Sequence, residues 1–340
     1  MKWLTRAKRP SVLAVVSAAA VAAGLTGGCG SGSAGGADGS AGGGDKKYKI
    51  SLVVGLNGDD FYGSLACGAK RAAEHHGATL DVQGPSKWDA PEQISVLNSV
   101  IAARPDAILI APVDDSALQA PLEQAKAQGI KIVLVDTTLK DPAVAESQVT
   151  TDDEAAGRTA AQEVIKETGG KGSVVTINTQ PGVSTVAARV RGFESDLKKD
   201  GSGIDYLGQQ YSGDDAGKAA STVTATLAAH PDLAAVFTTN TLTGQGAATG
   251  IKNARKTGKI KLIGFDANPS GVQALQDGSA QAQVVLKPLD IGYMGFGQAI
   301  NSLSGKPVQK MIRTGSLIAT KDNLNAPDVQ KYLYREACTS

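Results

Sequence analysis

The stretch ISLVVGLNGDDFYGSLACGAKRAAEHHG, residues 50–77, is where the fold is first legible. Ile50–Val54 is apolar apart from Ser51 and does not alternate, which suits a parallel strand buried on both faces. A polar turn follows, and then Phe61–His76 has helical spacing and stops at Gly77. Asp59 and Asp60 stand directly before Phe61 and Tyr62, in a chain with only 4% aromatic residues, so the pairing asks for an explanation.

Working outward, the same strand-then-helix unit repeats. Strands are expected at Leu80–Val82, Ala107–Ala111 and Ile130–Val135, with helices near Pro91–Ala103 and Ser116–Gln128. A second series has strands at Gly172–Ile177, Tyr206–Gln210, Ala234–Thr238, Lys261–Phe265 and Gln281–Leu286. Alternation of this kind predicts doubly wound parallel sheets, here two Rossmann-like α/β lobes with a boundary near Ser147–Asp153. Open parallel sheets bind ligands beyond the carboxyl ends of their strands. The segments there are Gly55–Tyr62, Gln83–Asp89, Pro112–Asp115, Asp136–Thr138, Thr179–Arg189, Asn240–Thr243 and Asp266–Asn268, rich in donors and acceptors and free of His.

The chain has 340 residues, 41% of them hydrophobic, enough for two domains. Lys2, Arg6, Lys8 and Arg9 precede an uncharged run from Ser11 to Gly28, the pattern of an export signal. Its end, Leu25-Thr26-Gly27-Gly28-Cys29, resembles a bacterial lipoprotein signal, which implies lipidation of Cys29; Leu25 is four residues before the Cys, where the usual pattern has three. An uncleaved N-terminal anchor is the alternative. Loss of residues 1–28 removes four positive charges, taking the net charge from +1 to −3, a poor balance for nucleic acid. Residues 30–44, GSGSAGGADGSAGGG, form a flexible tether with a reach of about 20 Å. Beyond Cys29 only Cys67 and Cys338 remain. An exported setting permits one disulfide between them, and two unrelated Cys are the other reading.

Several chemistries find no support. His75 and His76 lie late in a helix and His230 in a turn, with no metal-ligand spacing. There is no G-x-S-x-G elbow and no phosphate loop. Gly244, Gly246 and Gly250, followed by Asp266, imitate a dinucleotide fingerprint, but the third glycine is one position late and the series starts beyond the strand turn. Small residues for helix packing explain them.

Residues 50–77 resemble the first strand and helix of ribose-binding-protein-like solute receptors. So do DAILIAPVDDSAL (106–118), GIKIVLVDT (129–137), ARVRGF (188–193), AAHPDLAAVFTTN (228–240) and KLIGFDA (261–267), in the family's order. The resemblance implies the type I periplasmic binding protein fold, two lobes joined by three crossings with hinge points near Asp152, Pro288 and Gly315. It divides the chain into a signal peptide (1–28), a tether (29–46), an N-terminal lobe (47–152 and 288–315), a C-terminal lobe (153–287 and 316–330) and a tail (331–340). The implied ligand set is Asp59, Phe61, Tyr62 and Asp136 from the first lobe and Arg189, Asn240 and Asp266 from the second. Trp88, the one Trp after residue 28, with Asp89 and Lys287 completes the candidates. The chemistry agrees, because carboxylates, Asn and Arg pair with hydroxyls while aromatic faces receive the C–H face of a sugar ring. Thr137, Ala111 and Leu286 stand where ribose receptors usually carry Arg, Asn and Gln, which disfavours ribose itself.

The resemblance therefore implies a non-enzymatic receptor for a monosaccharide or polyol that feeds an ABC permease by hinge closure. It would be a monomeric lipoprotein on the outer face of the cytoplasmic membrane, using no cofactor or metal, no nucleic acid, and the membrane only through its lipid. The rival expectation is a ligand-sensing receptor for a membrane signalling partner.

Overall fold

The computed structural model describes residues 47–334 and Cys338; the export signal, the tether and Cys29 lie outside the described residues. The first series forms β1 (Lys49–Val53), α1 (Asp60–His75), β2 (Thr79–Gln83), α2 (Ala90–Ala102), β3 (Ala107–Ile110), α3 (Gln119–Ala127), β4 (Lys131–Val135) and β5 (Ser147–Thr151). The second forms α4 (Asp153–Thr168), β6 (Gly172–Asn178), α5 (Ser184–Asp200), β7 (Ile204–Tyr211), α6 (Ala216–Ala229), β8 (Leu233–Thr238), α7 (Thr241–Asn253), β9 (Lys261–Phe265), α8 (Pro269–Asp277) and β10 (Ala282–Val285). The chain ends through α9 (Pro288–Leu303), β11 (Met311–Thr314), β12 (Leu317–Thr320) and α10 (Pro327–Lys331).

Two six-stranded sheets result, ordered β2-β1-β3-β4-β5-β11 and β7-β6-β8-β9-β10-β12. The second order is the first one repeated in the next set of strands. The first sheet is parallel throughout, and only β12 runs antiparallel in the second. The central strand β3, AILI, is buried at every position, as its unbroken apolar run requires.

The chain passes between lobes three times: at Asp152 between β5 and α4, at Leu286–Lys287 between β10 and α9, and at Gly315–Ser316 between β11 and β12. The helices that follow the first two crossings each pack on the helix after the first central strand of the lobe they enter, α4 on α5 and α9 on α1. These pairs are in backbone contact. A Cβ on Gly68 would strike the carbonyl of Leu289, and one on Gly292 the carbonyl of Leu65. Gly157 and Gly192 stand the same way against the carbonyls of Arg189 and Glu154.

Four features depart from the expectations. Ser147–Thr151, inside the expected boundary region, is a strand whose burial alternates and which the apolar-run pattern does not mark; the crossing itself falls just after it, at Asp152. β11 and β12, four residues each, carry too short a pattern to be read. α3 begins at Gln119, because Asp114 Oδ1 accepts from the amides of Ser116 and Ala117 and holds a turn there. Within the supposed tail, Tyr334 is only 3% exposed, and Cys338 is disulfide-bonded to Cys67 with their Cα atoms 5.3 Å apart. Among the described residues no helix is long and apolar enough to cross a membrane.

Candidate functional site

Asp136 and Asp266 each follow the last residue of a buried strand, β4 and β9, and both have positive φ, 62° and 76°. Aspartate tolerates this left-handed conformation better than most residues. Each backbone N–H is donated to the neighbouring strand, to Val149 and Val284 respectively, at 2.9 Å. With the turn fixed in this way, both carboxylates line one cavity between the lobes. Asp136 Oδ2 accepts the Tyr62 hydroxyl at 2.8 Å. Asp266 Oδ2 accepts from Thr241 N and Oγ1, both at 3.1 Å, and its Oδ1 accepts the Tyr334 hydroxyl at 2.8 Å.

The first lobe adds rings. Asp59 caps α1, its Oδ1 accepting from the amides of Phe61 and Tyr62, so the cap that starts the helix also sets both aromatics at the cavity. Phe61 meets Tyr62 edge-on, with centroids 5.2 Å apart. Trp88 stacks on Tyr62 at 6.1 Å and donates Nε1–H to the Val113 carbonyl at 3.1 Å. Gly55 leaves room for this stack, since a Cβ there would lie 2.5 Å from atoms of both Trp88 and Tyr62.

The second lobe adds charge. Arg189 on α5 donates Nε–H to Asp153 at 2.9 Å and Nη1–H to the Thr239 carbonyl at 2.7 Å, and lies 4.4 Å from the centre of the Phe265 ring. Arg189 and Asp153 are both about 5% exposed, so this pair is buried. Asn240 caps α7 through Thr243 and donates Nδ2–H to Asp214 at 2.7 Å. The Thr179 hydroxyl, also on the cavity wall, is buried without a hydrogen-bond partner among the described residues.

Acids therefore outnumber bases in a nearly dry space. Burial first, and then the charge of Asp266, push Asp59 up to about 7 against the pull of its helix amides. Burial and Asp153 push Asp136 up to about 7, opposed by Arg189 and the Tyr62 hydroxyl. Asp153 rises to about 6 through burial, opposed by Arg189. Burial disfavours the Arg189 charge, but Asp153, Asp266 and Asp136 outweigh it and raise its pKa. Asp214 is raised by burial. Such a wall offers many acceptors, and near neutral pH some carboxyl O–H donors, which matches ligands whose hydroxyls both donate and accept. The cavity has a volume of about 70 Å³, room for a few waters. Among the described residues no cluster of His, Cys, Asp and Glu could hold a metal ion.

Of the sequence candidates, Asp59, Phe61, Tyr62, Trp88, Asp136, Arg189, Asn240 and Asp266 meet at this cavity. Asp89 and Lys287 do not. Asp89 is occupied as the cap of α2, accepting from Glu92 N at 3.0 Å. Lys287 precedes α9, and its Nζ lies 4.9 Å from the centre of the Tyr332 ring. The cavity wall also carries Asp214, Thr241 and Thr179, which are not among the sequence candidates. Asp214 follows β7, so extending the strand-end rule to that strand finds it; Thr179 and Thr241 lie inside segments the rule did mark.

Two matched sheets whose strand-end carboxylates face one another across a single small cleft define a bilobed solute-binding protein. Residues 50–307 match the periplasmic binding protein domain, and the chain belongs to that family. It is 29% identical over 270 residues to the ribose import binding protein of Bacillus subtilis (strain 168), covering 79% of this chain and 86% of that protein. It is 27% identical over 269 residues to the D-allose-binding periplasmic protein of Escherichia coli (strain K12), covering 76% and 86%. Among solved structures it resembles an ABC transporter solute-binding protein from Agrobacterium vitis bound with α-D-tagatopyranose, at 37% identity and a TM-score of 0.84 over 85% of this chain and 100% of that one. A second Agrobacterium vitis solute-binding protein, with bound D-fucose, matches at 31% identity and a TM-score of 0.80, over 84% and 99%.

Proposed function

We propose that this protein captures a monosaccharide or a related polyol outside the cytoplasm and delivers it to an ABC importer. The observation that carries the reading is the cavity itself, lined by Asp136 and Asp266 from opposite lobes together with the rings of Phe61, Tyr62 and Trp88. A sugar is polar at its rim and apolar on its faces, and this arrangement meets both. The relatives support it, being named for import of ribose or binding of allose, tagatose and fucose, and none is named for signalling. Binding without turnover fits a family of binding proteins.

In the same reading the lobes close about the ligand by movement at the three crossings, and the closed monomer docks on a membrane permease. Cys29 carries the lipid that keeps the protein at the outer face of the cytoplasmic membrane, an inference that rests on the sequence of residues 1–29.

A thermal-shift screen of D-tagatose, D-fucose, D-arabinose, D-ribose and D-allose tests the function, since a ligand of the native state raises the melting temperature. At least one sugar should raise it and also change Trp88 fluorescence. A flat response across pentoses, hexoses and polyols contradicts the reading.

A further inference from the structure

The two strand-end carboxylates are supported in the same way from different places. In the first lobe a buried tyrosine hydroxyl, that of Tyr62, is donated to Asp136. In the second lobe the hydroxyl of Tyr334 is donated to Asp266 at 2.8 Å. Phe61 sits between the two tyrosines, edge-on to both, with its ring centre 5.7 Å from that of Tyr334. Tyr62 reaches its place as part of α1. Tyr334 comes from the C-terminal segment, beyond the family match at residues 50–307, and is held by its backbone N–H, donated to the Ala267 carbonyl at 3.0 Å. Four residues later Cys338 is bonded to Cys67, on the same helix, α1, that carries Phe61.

Given the sugar-binding reading above, on which it rests, we propose that Tyr334 is a positioning residue of the ligand site and that the Cys67–Cys338 disulfide clasps it in place. A carboxylate offers about four acceptor sites. Thr241 occupies two on Oδ2 and Tyr334 one on Oδ1, which fixes the plane of the carboxylate and leaves one site on Oδ1 for the ligand. Without the tyrosine hydroxyl that carboxylate is free to rotate about the Thr241 contacts. The clasp matters because four residues span at most about 14 Å, so a C-terminal segment bonded to α1 stays beside Phe61, whereas without the bond Tyr334 is held from one side, by its own contacts and by the Tyr332 hydroxyl on Asp290 at 3.0 Å. The helix and the C-terminal segment thus form a covalent link between lobes additional to the three crossings.

The test measures affinity of the full-length protein for D-tagatose, D-fucose and D-arabinose. Tyr334→Phe should weaken the tightest of these about ten-fold, the usual loss for one hydrogen bond to a charged group. Tyr206→Phe, whose hydroxyl bonds Thr176 away from the cavity, should not. Cys67→Ser with Cys338→Ser should weaken it comparably, and adding Tyr334→Phe should then cost less than about two-fold more. In an Asp266→Ala background, which leaves the tyrosine hydroxyl no partner there, Tyr334→Phe should cost nothing further, whereas a tyrosine that only fills space would cost the same in both backgrounds. Affinity within two-fold of the parent for Tyr334→Phe overturns the positioning role, and undiminished affinity in the double Ser variant overturns the clasp. If no sugar binds the parent protein, the sugar reading fails, and Tyr334 is judged on ligand-free protein by hydrogen exchange. Faster exchange at Asp266–Asn268 in Tyr334→Phe then supports its hold on Asp266, and unchanged exchange overturns it.

Discussion

Asp136 after β4 and Asp266 after β9 occupy the same place in two sheets of the same strand order, and what surrounds them is not the same. To the cavity wall the first lobe gives Phe61, Tyr62 and Trp88 with Asp59, and the second gives Arg189, Asn240 and Asp214; what the two carboxylates share is a tyrosine hydroxyl each, from Tyr62 and Tyr334. The backbone plan is duplicated down to the reciprocal glycines of α1–α9 and α4–α5. The side chains that face the cavity are not duplicated. The difference shows what each level of structure constrains: strand order and helix contact set where a carboxylate can stand, and the loops and helices that follow the other strands decide what else lines the cavity. A site built from one apolar wall and one charged wall suits a solute with two unlike aspects.

If the scaffolds are truly equivalent, Gly157→Ala and Gly292→Ala should destabilise by similar amounts, about 3 kcal/mol each, because both Cβ atoms meet a helix carbonyl that cannot move alone. Unequal losses in denaturant titration would break the symmetry of the helix pairs. The walls should respond differently. Arg189→Met leaves Asp153 buried without its partner and should cost about 3 kcal/mol, at the low end for a broken buried pair because Asp153 can take up a proton. Tyr62→Phe removes one hydroxyl from Asp136 and should cost about 1–2 kcal/mol. Equal costs would mean that the charged wall is no more than another hydrogen bond.

The acid excess has a pH signature of smaller size. Asp59 and Asp136 at about 7 and Asp153 at about 6 stand above their ordinary value of 3.8. The folded protein therefore holds more protons than the unfolded chain between about pH 4 and 7, and the stability linked to these groups is full below that window and lost as pH rises through it. The melting temperature of the ligand-free protein should fall between pH 5 and pH 8. A bound sugar donates to the ionised carboxylates and should flatten that slope. A slope of the opposite sign would remove the coupled acids from the account.

Much of this was legible in the sequence because parallel strands buried on both faces leave long apolar runs, and the rule that ligands gather past strand ends then points to Asp59, Asp136, Asn240 and Asp266. Asp214 lies past the strand expected at Tyr206–Gln210, three residues beyond the end of β7, in the one strand-end segment of that sheet left outside the marked set between Gly172 and Phe265. The rule promoted Asp89, which lies past a strand end but spends its carboxylate on capping α2. Tyr334 was beyond its reach. No local pattern marks a C-terminal residue as part of a cleft some seventy positions away from Asp266; that depends on a cysteine pair 271 residues apart, which the sequence permits without requiring.

The claim that two unlike walls hold one sugar is tested most directly by isothermal titration with the tightest sugar from the screen, in the parent protein and in Asp136→Asn and Asp266→Asn. The account predicts one site per chain, and an affinity loss of about a hundred-fold in each variant with the ligand-free melting temperature nearly kept. Undiminished affinity after loss of either carboxylate would mean that one lobe binds alone, and would contradict it.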